Sequence, residues 1–217
     1  MKFREEKKME NYTICIGRQY GSGGREVGEL VAKKLGVTCY DKLLIQEAAK
    51  KSGMDENYLK RNDENLKDVI LPFSGNCFAD TADMSGIFYF AGDHAYNAEK
   101  AAIQAIGDRE SAVIIGRCAS AILSKKPNVL SVFLYGKESD CVDRIAARNG
   151  LTEKAARERM EKINRMRRRY FNFYAMTEWG KPESYDAMLS TSALGTQGCA
   201  DAIVYLLQKK LGVTCHE

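Results

Sequence analysis

The segment GRQYGSGGRE, residues 17–26, has the composition of a phosphate-binding loop. It follows a short apolar run, residues 12–16, and precedes a helical pattern, residues 25–36. Glycine adopts backbone conformations that other residues resist, so consecutive N–H groups can turn inward around an anion. The positive end of the helix dipole would add to this attraction. Phosphate binding is therefore predicted for Gly21, Ser22, Gly23, Gly24, Arg25 and Glu26.

The segment departs from the general phosphate-loop pattern G-x-x-x-x-G-K-[ST]. Arg18 replaces the first glycine, Gly24 replaces the lysine, and Arg25 stands where the hydroxyl residue is expected. Arg18 and Arg25 could supply the missing charge, although a planar guanidinium does not fill the space of an ammonium group. Glu26 is a candidate Mg²⁺ ligand, because Mg²⁺ prefers carboxylate and phosphate oxygens. The alternative is a glycine-rich turn that binds nothing.

Strand and helix patterns alternate along the chain. Short apolar runs predict five strands, at 12–16, 37–40, 111–116, 129–136 and 185–191. Helical spacing predicts helices at 25–36, 42–53, 54–70, 95–108, 139–150, 152–174 and 196–212. The stretch 72–93 lacks a clean period and is predicted to be an insert. Strands that alternate with helices predict an α/β fold, with a five-stranded parallel sheet flanked by helices on both faces.

The composition excludes several classes of protein. The net charge of the 217 residues is only +4, which by itself does not argue for a nucleic-acid partner, and we expect none. Seven cysteines, an odd number without a C-x-x-C pair, favour a reducing cytoplasm. Two histidines are too few for a Cys/His zinc cluster. No signal peptide or membrane-spanning apolar run is found, so we expect no membrane association.

Several segments together resemble a known family. ICIGRQYGSGGREVGELVAKKLGVTCYDKLLI is similar to the opening of the bacterial cytidylate kinase-like proteins, relatives of the nucleoside monophosphate kinases, whose loop commonly has the pattern R-Q-[YF]-G-S-G-G. The resemblance continues through AVIIGRCASAIL, VFLYGKESDCVDRIAARNG and RRRYFNFYAMTEWGKPESYDAMLSTSALG. It is weakest at 55–95.

The resemblance implies one P-loop NTPase-like domain over residues 1–217. Its core would comprise 11–41 and 97–217, with a helical acceptor-binding subdomain at 42–96 and a short lid at about 148–165. The implied activity is transfer of the γ-phosphoryl group of ATP, with Mg²⁺, to a nucleoside monophosphate, CMP or dCMP by default. Small nucleotides would be the ligands, and a homodimer is left open. Two alternatives remain: a non-catalytic nucleotide-binding protein, and a kinase of another small acceptor.

The resemblance also implies roles for individual residues. Catalytic roles fall to Arg18, Arg117, Arg144 and Arg167, and a role near the donor phosphates falls to Arg148. Acceptor binding falls to Asp41, Arg117 and Arg167. The aspartates that flank the arginine in true cytidylate kinases are replaced by Gly116 and Cys118.

Each of these residues also has a structural interpretation. Asp41 could cap the helix that starts near Lys42, and Arg117 could form a surface salt bridge. Arg144 and Arg148 could lie on a solvated helix face. Of the arginines at 165 and 167–169, only one or two can face a ligand, and Arg167 is the best match. The aromatic residues from Tyr170 to Trp179 are predicted to pack in the core.

Overall fold

A computed structural model describes residues 11–41, 43–53, 56 and 82–212 of the chain, with the backbone alone described at Ile45 and at 82–93. Apart from residue 56, the helix predicted at 54–70 lies outside these residues, as does about half of the predicted acceptor-binding subdomain. Within the described part, no helix combines the length and the apolar character needed to span a membrane.

The five strands form one parallel sheet. They are β1 (Thr13–Arg18), β2 (Thr38–Tyr40), β3 (Ala112–Ile115), β4 (Val129–Tyr135) and β5 (Ala187–Ser190). Their order across the sheet is β2-β3-β1-β4-β5, so β1 lies at the centre and pairs with both β3 and β4. The predicted five-stranded parallel sheet is confirmed.

Helices cover both faces of this sheet. They are α1 (Gly24–Leu35), α2 (Leu43–Ser52), α3 (Ala82–Arg109), α4 (Ala119–Ile122), α5 (Glu138–Asn149), α6 (Glu153–Ala175) and α7 (Thr191–Leu211), with a 3-10 helix at Pro182–Ser184. Alternate residues of a strand point to opposite faces. Ile14 and Ile16 of β1 accordingly pack with α1 and α7, whereas Cys15 packs with α2 and α3.

Most predicted helices form close to their predicted bounds because their capping residues are present. Gly36 has a positive φ of 66° and ends α1, and its N–H donates to the carbonyls of Ala32 and Lys33. Gly150, with φ of 63°, ends α5 in the same way. Thr152 begins α6, and its hydroxyl accepts a hydrogen bond from the N–H of Ala155 at 3.3 Å.

Two helices differ from the predictions. Within the described residues, helix α3 already includes Ala82, well before the predicted start at residue 95, and it runs without a break across the predicted subdomain boundary at 96–97. The sequence ADMSGIFYFAGD at 82–93 lacks apolar residues at regular helical spacing, so its helical backbone gives no periodic signal. Helix α7 begins at Thr191 but contains a break at Gly195, where φ is 68° and ψ is 175°.

Candidate functional site

The glycine loop connects β1 to α1 at the carboxyl edge of the sheet, where ligands bind in parallel α/β folds. Gly21 and Gly23 have positive φ angles of 86° and 74°. A Cβ atom at Gly21 would lie 2.7 Å from the carbonyl oxygen of Cys141, because the loop lies directly on helix α5. Gly21 is therefore required both by the backbone conformation and by the close approach of α5.

Hydrogen bonds fix the loop from several sides. The N–H of Gln19 donates to the carbonyl of Leu134 at 2.9 Å, and the N–H of Tyr20 donates to Oδ1 of Asn164 at 2.7 Å. Ser22 is fully buried, and its hydroxyl donates to the carbonyl of Gln19 at 2.9 Å. The Ser22 hydroxyl, predicted to contact phosphate, thus stabilises the turn itself.

Helix α1 presents its N-terminus to a cavity of about 620 Å³ beside the loop. The N–H of Val27 donates to the carbonyl of Gly23 at 3.0 Å and makes the first hydrogen bond of the helix. The preceding N–H groups, on Gly24, Arg25 and Glu26, have no acceptor inside the helix. All three residues line the cavity, so their N–H groups are available to an anion.

Five arginines line this cavity, and no lysine is found among its described lining residues. It is named the donor cavity, because the phosphates of the phosphoryl donor are predicted to bind at the glycine loop. The arginines are Arg18, Arg25, Arg144, Arg148 and Arg167. Arg18 ends β1, Arg25 lies in the first turn of α1, Arg144 and Arg148 lie one turn apart on α5, and Arg167 lies on α6. Four separate elements therefore place positive charge around one space. The structure brings all the arginines predicted for the donor side together.

Contacts of these arginines hold the loop in shape. Arg144 donates to the carbonyl of Gly21. Arg167 donates to the carbonyl of Arg18 at 3.1 Å, and its guanidinium lies 5.6 Å from the ring centre of Tyr20. Both side chains therefore connect the loop to helices α5 and α6.

Asp41 lies between Arg18 and Arg25. Its carboxylate is 3.9 Å from Nη2 of Arg18 and 3.4 Å from Nε of Arg25. Helix α2 begins at Leu43, two residues further on. The described contacts of Asp41 are with arginines of the loop region rather than with this helix. Asp41 thus orients two of the positive groups in the site.

A second cavity, of about 320 Å³, adjoins the first. The two cavities share three lining residues, Arg18, Asp41 and Arg167. This second cavity is named the acceptor cavity, because the residues predicted to bind the acceptor, Asp41, Arg117 and Arg167, line it. The rings of Tyr96 and Tyr174 stack on one side of it, with 3.8 Å between their centres. Tyr170, Phe171 and Tyr174 of α6 all line this cavity and all pack in one aromatic cluster, as predicted. The prediction that Phe173 packs in the core is wrong, because this residue is 55% exposed.

Arg117 and Glu99 form a buried ion pair in the acceptor cavity. Their side chains are 10% and 8% exposed. The hydroxyl of Tyr170 also donates to Oε2 of Glu99, at 3.3 Å. Burial, followed by the negative charge of Glu99, raises the pKa of Tyr170 well above its ordinary value, so this hydroxyl remains a donor. Arg117 was predicted to bind the acceptor phosphate, yet its described partner is a carboxylate.

The backbone around Arg117 is unusual. Gly116, Arg117 and Cys118 all have positive φ, at 79°, 51° and 56°. A Cβ atom at Gly116 would overlap the guanidinium of Arg18. The positive φ favours glycine at position 116, and any side chain there would also have to displace the guanidinium of Arg18.

Glu99 was not identified from the sequence, although a signal is present. It belongs to α3, whose buried residues Ala95, Ala98, Ala102 and Ile106 mark one apolar face. Glu99 is four residues from Ala95 and three from Ala102, so it lies on that same face. A carboxylate within an apolar helical stripe is a candidate for function, because buried charges require partners.

The predicted metal ligand, Glu26, is exposed and accepts a hydrogen bond from the hydroxyl of Thr196 at 2.9 Å. Within the described residues, no group of three or more potential metal ligands is found. The other carboxylates of the two cavities, Glu29, Asp41 and Glu99, form ion pairs with arginines. These side chains do not fit a resident Mg²⁺ site.

Solved structures of kinases share this architecture. A shikimate kinase from Acinetobacter baumannii, in complex with shikimate, is 14% identical with a TM-score of 0.50, over 92% of this chain and 94% of its own. A gluconokinase from Sinorhizobium meliloti 1021 is 15% identical with a TM-score of 0.51, over 91% and 94%. The fold is that of the P-loop kinases.

A more similar structure is an uncharacterized protein from Eubacterium ventriosum ATCC 27560, at 28% identity and a TM-score of 0.68, over 91% of this chain and 99% of its own. No curated protein matches the sequence. The sequence profile of the cytidylate kinase-like family matches residues 13–193. The chain belongs to the cytidylate kinase-like family, as its loop and later segments predicted.

Proposed function

We propose that the protein transfers the γ-phosphoryl group of Mg·ATP to a small acceptor, with CMP or dCMP as the first choice. One observation carries this proposal. A donor cavity at the glycine loop and a smaller acceptor cavity meet at Arg18, Asp41 and Arg167. A group bound in one cavity would face a group bound in the other across two guanidinium groups.

Phosphoryl transfer depends mainly on positioning and on neutralising the charge of the transferring group. In the proposed mechanism, the N–H groups at the start of α1, with Arg144 and Arg148, bind the donor phosphates. Arg18 and Arg167 would bind the transferring group where the two cavities meet. Arginine suits these roles because its planar fork offers several donors to phosphate oxygens. Mg²⁺ would enter with ATP, as part of the substrate.

The segment 148–165 contains the end of α5, the turn at Gly150 and the first part of α6. Movement of this pair of helices as a lid stays a prediction. It would exclude water and so limit hydrolysis of ATP.

The acceptor is the less constrained part of the proposal. CMP follows from the family, but the guanidinium of Arg117 is already paired with Glu99. Because the Arg117–Glu99 ion pair has no net charge, it favours binding of an uncharged polar group, such as a base or a sugar-like ring, at the buried end of the acceptor cavity. A kinase of a non-nucleotide acceptor is therefore the second candidate. Shikimate and gluconate enter the test as non-nucleotide probes.

The experiment measures ADP formation from Mg·ATP by the purified protein. CMP, dCMP, UMP, AMP, GMP, shikimate and gluconate are offered one at a time. Arg167→Met removes a guanidinium that lines both cavities, and we expect kcat to fall about 100-fold or more. Arg165→Met is the matched control, because Arg165 lies on the same helix, is exposed and pairs with Glu161 at 3.4 Å.

ADP that depends on one acceptor, is lost in Arg167→Met and persists in Arg165→Met would establish the kinase and its acceptor. Equal activity in both variants would indicate a contaminating enzyme. If no acceptor gives ADP, calorimetric titration with ATP separates the remaining hypotheses. Binding without turnover would support a non-catalytic nucleotide-binding protein, and no binding would reject the donor site.

A further inference from the structure

Tyr185 lies in the acceptor cavity, just before strand β5. It follows the 3-10 helix at Pro182–Ser184, and its ring packs against Phe133 at 5.0 Å and Phe171 at 6.0 Å between centres. The residue is only 8% exposed. A Cβ atom at Gly17 of β1 would lie 3.1 Å from the Tyr185 hydroxyl oxygen, so this hydroxyl sits against the central strand.

Among the described residues, the Tyr185 hydroxyl is buried and has no hydrogen-bond partner. The N–H of Gly180 is near enough to act towards a lower pKa of Tyr185, but it makes no hydrogen bond of normal geometry. Burial is the larger effect and raises this pKa above the ordinary value, so the phenol stays protonated at neutral pH. It is therefore a hydrogen-bond donor without an acceptor in the described part of the protein.

An unpaired buried hydroxyl is uncommon, because it loses its hydrogen bonds to water and gains none in return. Phenylalanine would fill the same space within the aromatic cluster without that loss. The cavity wall beside Tyr185 also contains Arg18 and Arg117, whose guanidinium groups attract electron-rich atoms. Tyr185 and Gly17, beside which its hydroxyl lies, both line this cavity, so a molecule bound there can supply the missing acceptor.

We propose that Tyr185 donates a hydrogen bond to an oxygen or nitrogen atom of the acceptor substrate and so contributes to its selection. This inference rests on the proposed function. It adds a neutral donor to the charged groups of the site. The atom that accepts could belong to the phosphate or to the nucleoside part of a nucleotide.

The test compares Tyr185→Phe with Tyr40→Phe. Both replacements remove one hydroxyl from a buried tyrosine. The Tyr40 hydroxyl, however, donates to Oε1 of Glu110 at 2.9 Å, and Tyr40 lines neither cavity. We measure the unfolding temperature of each variant and its affinity for CMP, cytidine and inorganic phosphate by calorimetric titration.

We expect opposite effects from the two variants. Tyr185→Phe should leave the unfolding temperature unchanged or raise it by about 1–3 °C, because a buried unpaired group is removed. It should weaken CMP binding about 5- to 10-fold. Tyr40→Phe should lower the unfolding temperature by about 2–4 °C and leave CMP affinity unchanged. Weaker cytidine binding would assign the contact to the nucleoside, and weaker phosphate binding would assign it to the phosphate.

Either of two results would overturn the inference about Tyr185 without affecting the proposed function. Tyr185→Phe could destabilise the protein as much as Tyr40→Phe does, which would reveal a structural partner of the hydroxyl. It could also bind CMP as tightly as the natural protein. If the natural protein binds none of the three probes, the proposed nucleotide acceptor fails, and the inference fails with it.

Discussion

Three unfavourable contributions to stability meet at the ion pair between Arg117 and Glu99: the desolvation of each of the two charges and the backbone conformation of Arg117. Both side chains are almost fully buried, so both charges have lost most of their hydration. Arg117 also has φ of 51°, in a region where a non-glycine residue costs about 1–2 kcal/mol. The surroundings compensate through mutual attraction and through the hydrogen bond from Tyr170 to Glu99. Each partner therefore depends on the other.

A double-mutant cycle on this pair gives the first prediction. Arg117→Ala leaves the Glu99 carboxylate buried without its cation, and should lower the free energy of unfolding by about 3–5 kcal/mol. Glu99→Ala should have a similar effect for the converse reason. The double variant should be clearly more stable than the sum of the single effects predicts. Urea unfolding measures all four proteins, and strict additivity would contradict a coupled buried pair.

At this scale, sequence patterns identify some site residues better than others. Arg167 follows from the family pattern, and the structure places it where the cavities meet while Arg165 and Arg169 remain exposed. Glu99 and Tyr185 belong to segments that were assigned only as helix and strand. Their contacts are with residues distant in the sequence, which no local pattern records. Glu99, for example, pairs with Arg117, 18 positions further along the chain.

Among the elements, the glycine loop is the one whose shape is set most tightly by its neighbours. Gly21 lies against helix α5, and Gly23 begins helix α1 with a positive φ of 74°. The loop can therefore hold its N–H groups and its arginines in these positions only if no side chain separates it from α5. The close contact with α5 also places Arg144 and Arg148 beside a loop that lacks the usual lysine.

Substitution of Gly21 by alanine is the second prediction. The new Cβ would meet the Cys141 carbonyl at 2.7 Å, so the loop must move away from α5. We expect affinity for ATP to fall at least about 10-fold, since close backbone contacts to phosphate would be lost. Calorimetric titration measures this change.

Gly36→Ala is the matched control for Gly21→Ala. Gly36 also has a positive φ, at 66°, and lies at the other end of the same helix, where a new Cβ would meet no described atom within 4 Å. It should cost about 1–2 kcal/mol of stability and leave ATP affinity unchanged. Equal losses of affinity in both variants would show that helix stability, rather than loop position, governs binding.

The elements themselves are largely predictable because the sequence marks their ends. Glycine follows α1 and α5, and short β-branched runs mark the strands. Helix α3 is the exception, since its first part has no amphipathic period. The part of α3 that carries Tyr96 and Glu99 into the acceptor cavity does follow the prediction, since both residues lie within the predicted helix at 95–108.

At the scale of the whole molecule, the strand order places the site. With β1 between β3 and β4, the loop after β1 adjoins both the turn after β3, which carries Arg117, and helix α5 after β4, which carries Arg144. Alternating strands and helices predict a parallel sheet but do not determine its strand order. The family resemblance supplied the expectation that these segments meet, and the sheet order explains how they do.

Stability at alkaline pH is the last prediction, and it depends on the core as a whole. Burial, followed by a nearby carboxylate, raises the pKa of the Cys15 and Cys118 thiols from 9.0 to about 12. Above pH 9 the unfolded chain loses these protons while the folded protein retains them, so stability falls as pH rises towards 12. Each thiol should cost about 1.4 kcal/mol between pH 8 and pH 10. Urea unfolding at both pH values measures the loss in the natural protein and in Cys15→Ala, where it should be smaller by one thiol's share. An equal pH dependence in the two proteins would mean that the Cys15 thiol ionises as readily in the core as in the unfolded chain.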